Sequence, residues 1–346
     1  MTELIKQNQF YELFDEEIQE ETEVTIYQGT EPTLTIEGKK KLGNFSGTPI
    51  RFEAQSLEKK SYFVYAFANR LKIIAVRKIS LKGTFNTRDF GGYTGMNGRQ
   101  VKWGTFFRSD ALNNLTEEDV TILEKLGIKT VVDFRSEKEI SQAPDILPAG
   151  IKYVNLSPNA PIAALASGNM HDDQSKIAKL VEIAEKNEGE TYFAQRLDEM
   201  SEEMRKLVRE SFSNKKYQAY LRLLLNPDNL PILHHCRGGK DRAGFAAILV
   251  LAVLGVSKEE IKLDYMQTKN NMEERNKKRM KEYEQFTNNE TVLTYLSGLM
   301  QTKERYFEAA YDEIEKIAGS MDNYLKQVMD LSSEDINTIR EYYLYE

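Results

Sequence analysis

Residues 230–255, LPILHHCRGGKDRAGFAAILVLAVLG, constrain the fold more than any other stretch of this chain. LPILHH has the length and character of a fully buried strand. AGFAAILVLAVLG is long and apolar enough for a core helix, with Phe245, Ile248, Leu249 and Ala252 on one face. A buried strand running into a buried helix through a short loop is the unit of a parallel sheet, whose crossovers cover both faces.

The flanking sequence repeats that alternation. LTEEDVTILEKLGI has helical spacing after Thr116, KTVVDF reads as a short buried strand, and RSEKEI opens a helix with Ser136 and Glu139 placed as a capping box. IKYVNL (151–156) reads as another strand, and a charged, helix-prone stretch fills roughly 172–226. Ser257 and Glu260 are spaced as a further capping box, and the last 60 or so residues, including RYFEAAYDEIEKIAG and SSEDINTIREYYL, read as helices. From residue 22 to about 80 the pattern differs. VTIYQG, TLTIEG, PIRFEA, SYFVYAF and LKIIAVRKI are β-branched or aromatic runs separated by turn residues, the mark of a small antiparallel unit. The expectation is an α/β fold with a mainly parallel central sheet flanked by helices, divided into an N-terminal β-rich unit (1–80) and a larger domain (81–346).

Composition narrows the partners. The net charge of −7 argues against nucleic acid, and the N-terminus lacks the basic and apolar segments of an export signal. No run of about 18 apolar residues suggests a membrane span, so a cytoplasmic protein is expected, with at most transient contact at a membrane surface. One cysteine and three histidines make a disulfide framework or a cysteine- or histidine-rich metal site improbable, so no metal and no cofactor are expected.

Cys236 therefore stands alone, at the carboxyl end of a strand, where open α/β sheets bind their ligands. Backbone N–H groups of a tight loop entering a helix cradle an anion and favour a thiolate over a thiol. Gly238 and Gly239 let that backbone turn, and the planar fork of Arg242, six residues on, can grip two phosphoryl oxygens.

These residues carry a resemblance. HCRGGKDRAG resembles the active-site loop of cysteine-dependent tyrosine phosphatases, and its Gly-Lys-Asp-Arg core looks like that of the atypical bacterial tyrosine and lipid phosphatases. FNTRDFGGY (85–93) and VVDFRSEKEI (131–140) resemble two further segments of that family, as do GTFFRSDAL and YFEAAYDEIEKIAGSMDNYLK; the likeness runs from about residue 80 to 346. It implies a tyrosine-phosphatase-like fold, with additional helices after the loop that can cover the site as a lid, and a metal-independent phosphomonoesterase acting on phosphotyrosyl proteins, phosphoinositides, or both. Cys236 would be the nucleophile, forming a phosphocysteine, and Arg242 the transition-state clamp. Asp241 would be the general acid, with Asp133 as its rival. Arg237, Gly238, Gly239 and Lys240 would bind substrate, Lys240 as a mobile cation at the rim, and His235 would orient the loop. Asn86, Arg88, Asp89 and Arg135 would support the site. Ala243 departs from the family, which places serine or threonine after the loop arginine to help the thiolate leave. Two alternatives are a phosphate-binding module without turnover and a rhodanese-like sulfurtransferase. The charged run TKNNMEERNKKRMKEYE (268–284) reads as a solvated helix face in preference to a lipid-binding patch.

Overall fold

The computed structural model describes residues 2–158, 160, 170–186 and 189–346. Seven strands come first: β1 (Thr2–Gln7), β2 (Phe10–Asp15), β3 (Val24–Gly29), β4 (Lys40–Phe45), β5 (Ile50–Glu53), β6 (Tyr62–Phe67) and β7 (Arg70–Ala75). They form two antiparallel sheets, ordered β1-β2-β5 and β4-β3-β6-β7, around a shared apolar cluster that includes Leu13, Val24, Ile26, Phe52, Phe63 and Ile73. The β unit thus begins at residue 2, ahead of the first stretch read as strand. TLTIEG, expected to be a strand, is not one, and KKLGNF (β4) takes the place beside β3. Apolar contacts favour KKLGNF: Leu42 and Phe45 both pack on the cluster, whereas TLTIEG sends Leu34 to it and leaves Ile36 44% exposed.

A third sheet holds β8 (Arg88–Asp89), β9 (Phe106–Ser109), β10 (Thr130–Asp133), β11 (Lys152–Asn155) and β12 (Ile232–His235), in the order β11-β10-β12-β9-β8. The pairs β10 with β11, β10 with β12 and β12 with β9 are parallel, and β8 runs antiparallel to β9. Register places Asp133, His235 and Ser109 side by side at the carboxyl ends of β10, β12 and β9. That row is where the cysteine loop departs.

The helices are α1 (Glu117–Lys125), α2 (Glu137–Gln142), α3 (Met170–Ala184), α4 (Gly189–Arg209), α5 (Ser211–Leu223) and α6 (Arg242–Val253). There follow α7 (Lys258–Asn271), α8 (Glu273–Tyr283), α9 (Glu290–Met300), α10 (Glu304–Ala318), α11 (Met321–Gln327) and α12 (Ser333–Tyr343). Of the helix-prone stretch 172–226, residues 187 and 188 lie outside the described residues. Thr116 and Ser136 form the capping boxes that open α1 and α2. At α7 the box is half made: Ser257 accepts from the Glu260 N–H, but the Glu260 carboxylate accepts from the N–H of Thr94. Helix α6 is buried at all twelve positions and not on one face only, because α5, α7, α11 and α12 enclose what the sheet leaves uncovered. No helix among the described residues is long and apolar enough to cross a membrane.

The two parts are joined through specific contacts. Trp103 and Tyr345 belong to the apolar cluster of the β unit; Trp103 Nε1 donates to the Ile73 carbonyl at 3.1 Å and the Tyr345 hydroxyl to that of Pro32 at 2.6 Å.

Candidate active site

Strand β12 delivers Cys236 to the floor of a cleft lined also by Arg237, Gly238, Lys240, Asp241 and Arg242, with Met272, Arg275, Leu299 and Met300 opposite. Cys236 is a free thiol, 2% exposed. The loop is held from behind by its carbonyls. Arg108 donates Nε to Gly239 O at 2.9 Å and Nη2 to Lys240 O at 3.0 Å, and Asn86 Nδ2 reaches the carbonyls of Gly238 and Gly239 at 3.2 Å each. In a trans peptide the N–H points opposite to the C=O. Carbonyls drawn to the rear therefore turn the N–H groups of Gly239, Lys240 and Asp241 toward the cleft, an arrangement that attracts anions.

Gly239 is required here: its φ is +63°, and a Cβ would sit 2.5 Å from Ser109 O and 2.7 Å from Asn86 Nδ2. Gly238 meets nothing within 4 Å and has no such constraint.

Behind the loop lies a buried ionic group. Asp264 accepts from Arg108 Nη1 at 2.9 Å and Arg88 Nε at 3.1 Å, while Arg88 Nη1 donates to Asn86 Oδ1 at 2.6 Å. Burial alone would raise the Asp264 carboxyl, but Arg88 and Arg108 outweigh it and hold the group far below its ordinary range. Burial, then the Arg88 charge, pulls Arg108 down to about 10.

Arg242 is aimed by Glu139. Its Nη1 donates to Oε2 at 2.7 Å and its Nη2 to Oε1 at 2.9 Å, a bidentate pair. Burial would lower Arg242, yet the bond to Glu139 and the neighbouring thiol site raise it. Its Nε has no protein partner among the described residues. Asp241 sits at the N-cap of α6, a position where aspartate usually caps the helix. It makes no capping bond; Oδ1 is buried without a partner among the described residues and Oδ2 lies 3.6 Å from Lys240 Nζ.

Lys240 is not the mobile rim cation expected. It is 8% exposed, and its ammonium donates to the carbonyls of Leu299 (2.8 Å) and Gln301 (3.1 Å) at the end of α9. Those helix-terminal carbonyls lack intrahelical partners and compete for a nearby cation.

Asp133, Arg135 and His235 form a separate group beside the loop. Arg135 pairs with Asp133 (Nη2 to Oδ2, 2.7 Å) and with Asp145 (2.8 Å), and Tyr153 donates to Asp133 at 2.8 Å. Burial would raise Asp133, but His235 and Arg135 prevail and hold it at about 2. A carboxylate so engaged has no proton to give. His235 Nε2 stands 3.1 Å from Asp145, and Nδ1 lies 3.3 Å from the Cys236 carbonyl. Burial pulls His235 down, but Asp133 and Asp145 together raise it. Asp133, Asp145 and His235 are close enough to hold a metal ion, but the Arg135 guanidinium bridges the two carboxylates and supplies the positive charge such an ion would bring. His234 faces the other way, between the Tyr220 hydroxyl (2.7 Å) and the Ala243 carbonyl (3.1 Å), and burial, then Arg108, keeps it neutral.

Two expectations fail on position. Asp89 is not at the site: its carboxylate accepts from Lys60, Gly104 and Gly91 and joins the β unit to the third sheet. The run 268–284 is not simply a solvated face, because Arg275 lines the cleft and Arg279 donates to Asp173 at 2.6 Å. The break between α7 and α8 at Met272 turns that face of α8 inward.

Arg108, Glu139, Asp145, Asp264 and Arg275 are site residues that the loop motif alone does not mark. Arg108 and Asp264 carried a signal, a charge inside the apolar runs FFRS and IKLDYM, where ionised groups are rare unless paired. The spacing marks Glu139 only as a cap, and it does both jobs: Oε2 accepts from Ser136 N as well as from Arg242.

The sequence comparisons agree with this geometry. The family model described as "Tyrosine phosphatase family" matches residues 79–345. The chain belongs to the tyrosine phosphatase family. A Cupriavidus necator protein carrying the name tyrosine-protein phosphatase is 28% identical over 75% of this chain and 85% of its own length. The triple specificity protein phosphatase PtpB of Mycobacterium tuberculosis is 26% identical over 77% of this chain and 98% of its own. Among solved structures, TpbA of P. aeruginosa covers 53% of this chain and 78% of its own at 19% identity, with a TM-score of 0.27, an overlap too loose to build on. Family membership supports phosphatase activity, with phosphoproteins as the substrate class it implies. The sulfurtransferase reading is left without support.

Proposed function

We propose that this phosphatase works through Cys236. The thiolate attacks phosphorus in line, an S–P bond forms as the ester P–O bond breaks, and Asp241 gives its proton to the departing oxygen. Water then attacks the phosphocysteine, the S–P bond breaks, and inorganic phosphate leaves. Arg242 would hold two equatorial oxygens, in the orientation that Glu139 gives it, and the loop N–H groups would bind the charge that develops. The observation that carries this reading is the convergence of Cys236, Asp241 and Arg242 on one cleft, with the Asp241 Oδ1 and the Arg242 Nε unengaged by other described residues.

Asp133 would then be a positioning group, paired to Arg135, and not a rival to Asp241 as the acid. Phosphotyrosyl proteins and phosphoinositides are both proposed as substrates. Lys240 no longer favours the lipids, being tied to α9. The cleft has a volume of about 30 Å³, room for two or three waters, each needing about 10–15 Å³, and tight for a phosphoryl group. Met272, Leu299 and Met300 would have to move for substrate to enter, so α8 and α9 are proposed as a lid, with Lys240 as its latch. We take the β unit up to about residue 80 as a separate domain.

The test is hydrolysis of p-nitrophenyl phosphate in the presence of chelator. Wild type should turn over, and Cys236→Ser should lose about 10³-fold or more, the scale seen when a covalent nucleophile is removed. Binding without turnover by wild type would replace this reading with that of a phosphate-binding module. A panel of phosphopeptides and phosphoinositides, with the same variant as control, would identify the substrate.

A further inference from the structure

The two sheets of the β unit meet at their edges, β5 beside β4 and β1 beside β7. Both β1 and β7 are edge strands, and among the described residues no main-chain hydrogen bond joins them. The seam opens into a groove of about 490 Å³, whose walls include residues 2–6 of β1 and, from α7, Leu263, Gln267, Asn270 and Asn271. It shares no lining residue with the cysteine cleft.

These walls suit a polypeptide in extended form. Every second residue of an edge strand turns its N–H and C=O away from the sheet, and those groups need partners. On α7, Leu263, Gln267 and Asn270 follow at steps of four and three and so share one face. Gln267 Nε2 donates to the Tyr93 hydroxyl at 3.2 Å and Asn271 Nδ2 to Asn86 Oδ1 at 3.2 Å. The carbonyl oxygens of both side chains, and the whole carboxamide of Asn270, have no partner among the described residues. Ile5 and Leu263, 36% and 40% exposed, add apolar contact surface. The lengths agree as well: the six residues of β1 span about 17 Å, and α7 from Glu260 to Asn271 about 16 Å.

Charge distinguishes one part of the groove. A neighbouring cavity of about 220 Å³ shares Lys6, Val76, Lys78 and Ser80 with it and adds Lys59 and Lys60, with no carboxylate among the described residues that line it. Lys60 is paired with Asp89, whereas Lys6, Lys59 and Lys78 have no ion pair among the described residues. We propose that the groove is a docking site for an extended segment of a partner protein. The segment adds to β1 as a strand, sets alternate apolar side chains against Ile5 and Leu263, and brings an acidic side chain to Lys6 and Lys78. The β unit is then a recognition module, and α7 closes its groove.

The test reads binding and not turnover, so its outcome is independent of the catalytic reading. The probe is a phage-displayed library of linear nine-residue peptides, panned against the full chain. Synthetic copies of the enriched peptides are titrated through the fluorescence of Trp103, which lines the groove and is the chain's one tryptophan. They should alternate apolar and polar residues and carry Asp or Glu near one end. N-methylation of their amides one at a time should weaken binding about tenfold or more at every second position and little between, the period of a strand bonded along one edge. Leu263→Glu should weaken binding about tenfold. Leu71→Glu, at 38% a similarly exposed leucine of β7 outside the groove, should leave it unchanged. Lys78→Glu should remove the preference for the acidic residue. In wild type, peptide should slow hydrogen exchange of the β1 amides, a readout that stands even where a variant fails to fold. No enriched peptide, tolerance of N-methylation throughout, unchanged exchange in β1, or binding indifferent to Leu263→Glu overturns the proposal. So does a concentration-dependent dimer whose formation protects the β1 amides, because a second copy would then fill the seam.

Discussion

The rear and the front of the cysteine loop are built on opposite rules. At the rear, the carbonyls of Gly238, Gly239 and Lys240 meet Asn86 or Arg108, and the two arginines there share Asp264. At the front, the Asp241 Oδ1 and the Arg242 Nε are buried without partners among the described residues, and Arg275 has one weak bond. Buried polar groups are normally satisfied, so the contrast locates where a ligand completes the structure. A fully bonded back wall keeps the open front in shape without substrate, which is the preorganisation that transition-state stabilisation needs.

The sharpest break in that comparison is Asp241→Asn. The change keeps the shape and removes the proton donor, and it touches no bond that holds the loop. We expect kcat on p-nitrophenyl phosphate to fall about 10²- to 10⁴-fold, the worth of a general acid, with the melting temperature unchanged. The alkaline limb of the pH–kcat profile, where a general acid has lost its proton, should disappear. An alkaline limb identical to that of wild type would assign the proton to another group.

Asp264→Asn tests the other side. Removing the charge leaves Arg88 and Arg108 buried without their carboxylate, which costs about 3–5 kcal/mol when a buried ion pair is broken. Stability and kcat should fall together, whereas at Asp241 only kcat falls; denaturant melts beside kinetics make the distinction. Acid should reproduce part of the effect. Asp133 and Asp264 both have folded pKa values below that of an unfolded aspartate, so their contribution is complete above the unfolded value of about 3.9 and is lost as pH drops. For Asp133 the loss runs between that value and about 2. Chemical melts at successive pH values should show stability falling through this window, less steeply in Asp264→Asn, which has one such group fewer.

The front of the site was legible in the sequence and the rear largely was not, for a physical reason. Cys236, Asp241 and Arg242 are local: strand, loop and helix follow within a few residues, so spacing alone brings them to one place. The rear partners come from Asn86, Arg88, Arg108 and Asp264, spread over 179 positions, and periodicity is silent on which charges a fold will pair. Lys240 shows the cost of reading locally. Its place in the loop suggested a rim cation, and its tether is to carbonyls 59 and 61 residues away. The β unit teaches the same lesson, since TLTIEG has the better strand composition but sends only Leu34 to the core, whereas KKLGNF sends Leu42 and Phe45.

Ala243 gives the smallest effect and the finest test of how complete the front is. The position lies in the first turn of α6, is fully buried, and has its carbonyl fixed by His234, so a hydroxyl added there would stand beside the loop. In most cysteine phosphatases a hydroxyl in this place helps the thiolate leave when water attacks the phosphoenzyme. Without it, hydrolysis of the phosphocysteine should limit turnover, and rapid mixing with p-nitrophenyl phosphate should show a burst of nitrophenol. Ala243→Ser should speed that step about tenfold, about 1.4 kcal/mol, near the lower end of a hydrogen bond to a charged group. The burst should shrink as kcat rises. A wild-type enzyme with no burst, or a serine variant no faster in its second step, would mean that another buried donor already serves the thiolate. The Tyr265 hydroxyl, unpartnered among the described residues and within electrostatic reach of both Cys236 and Asp241, would then be the group to remove next.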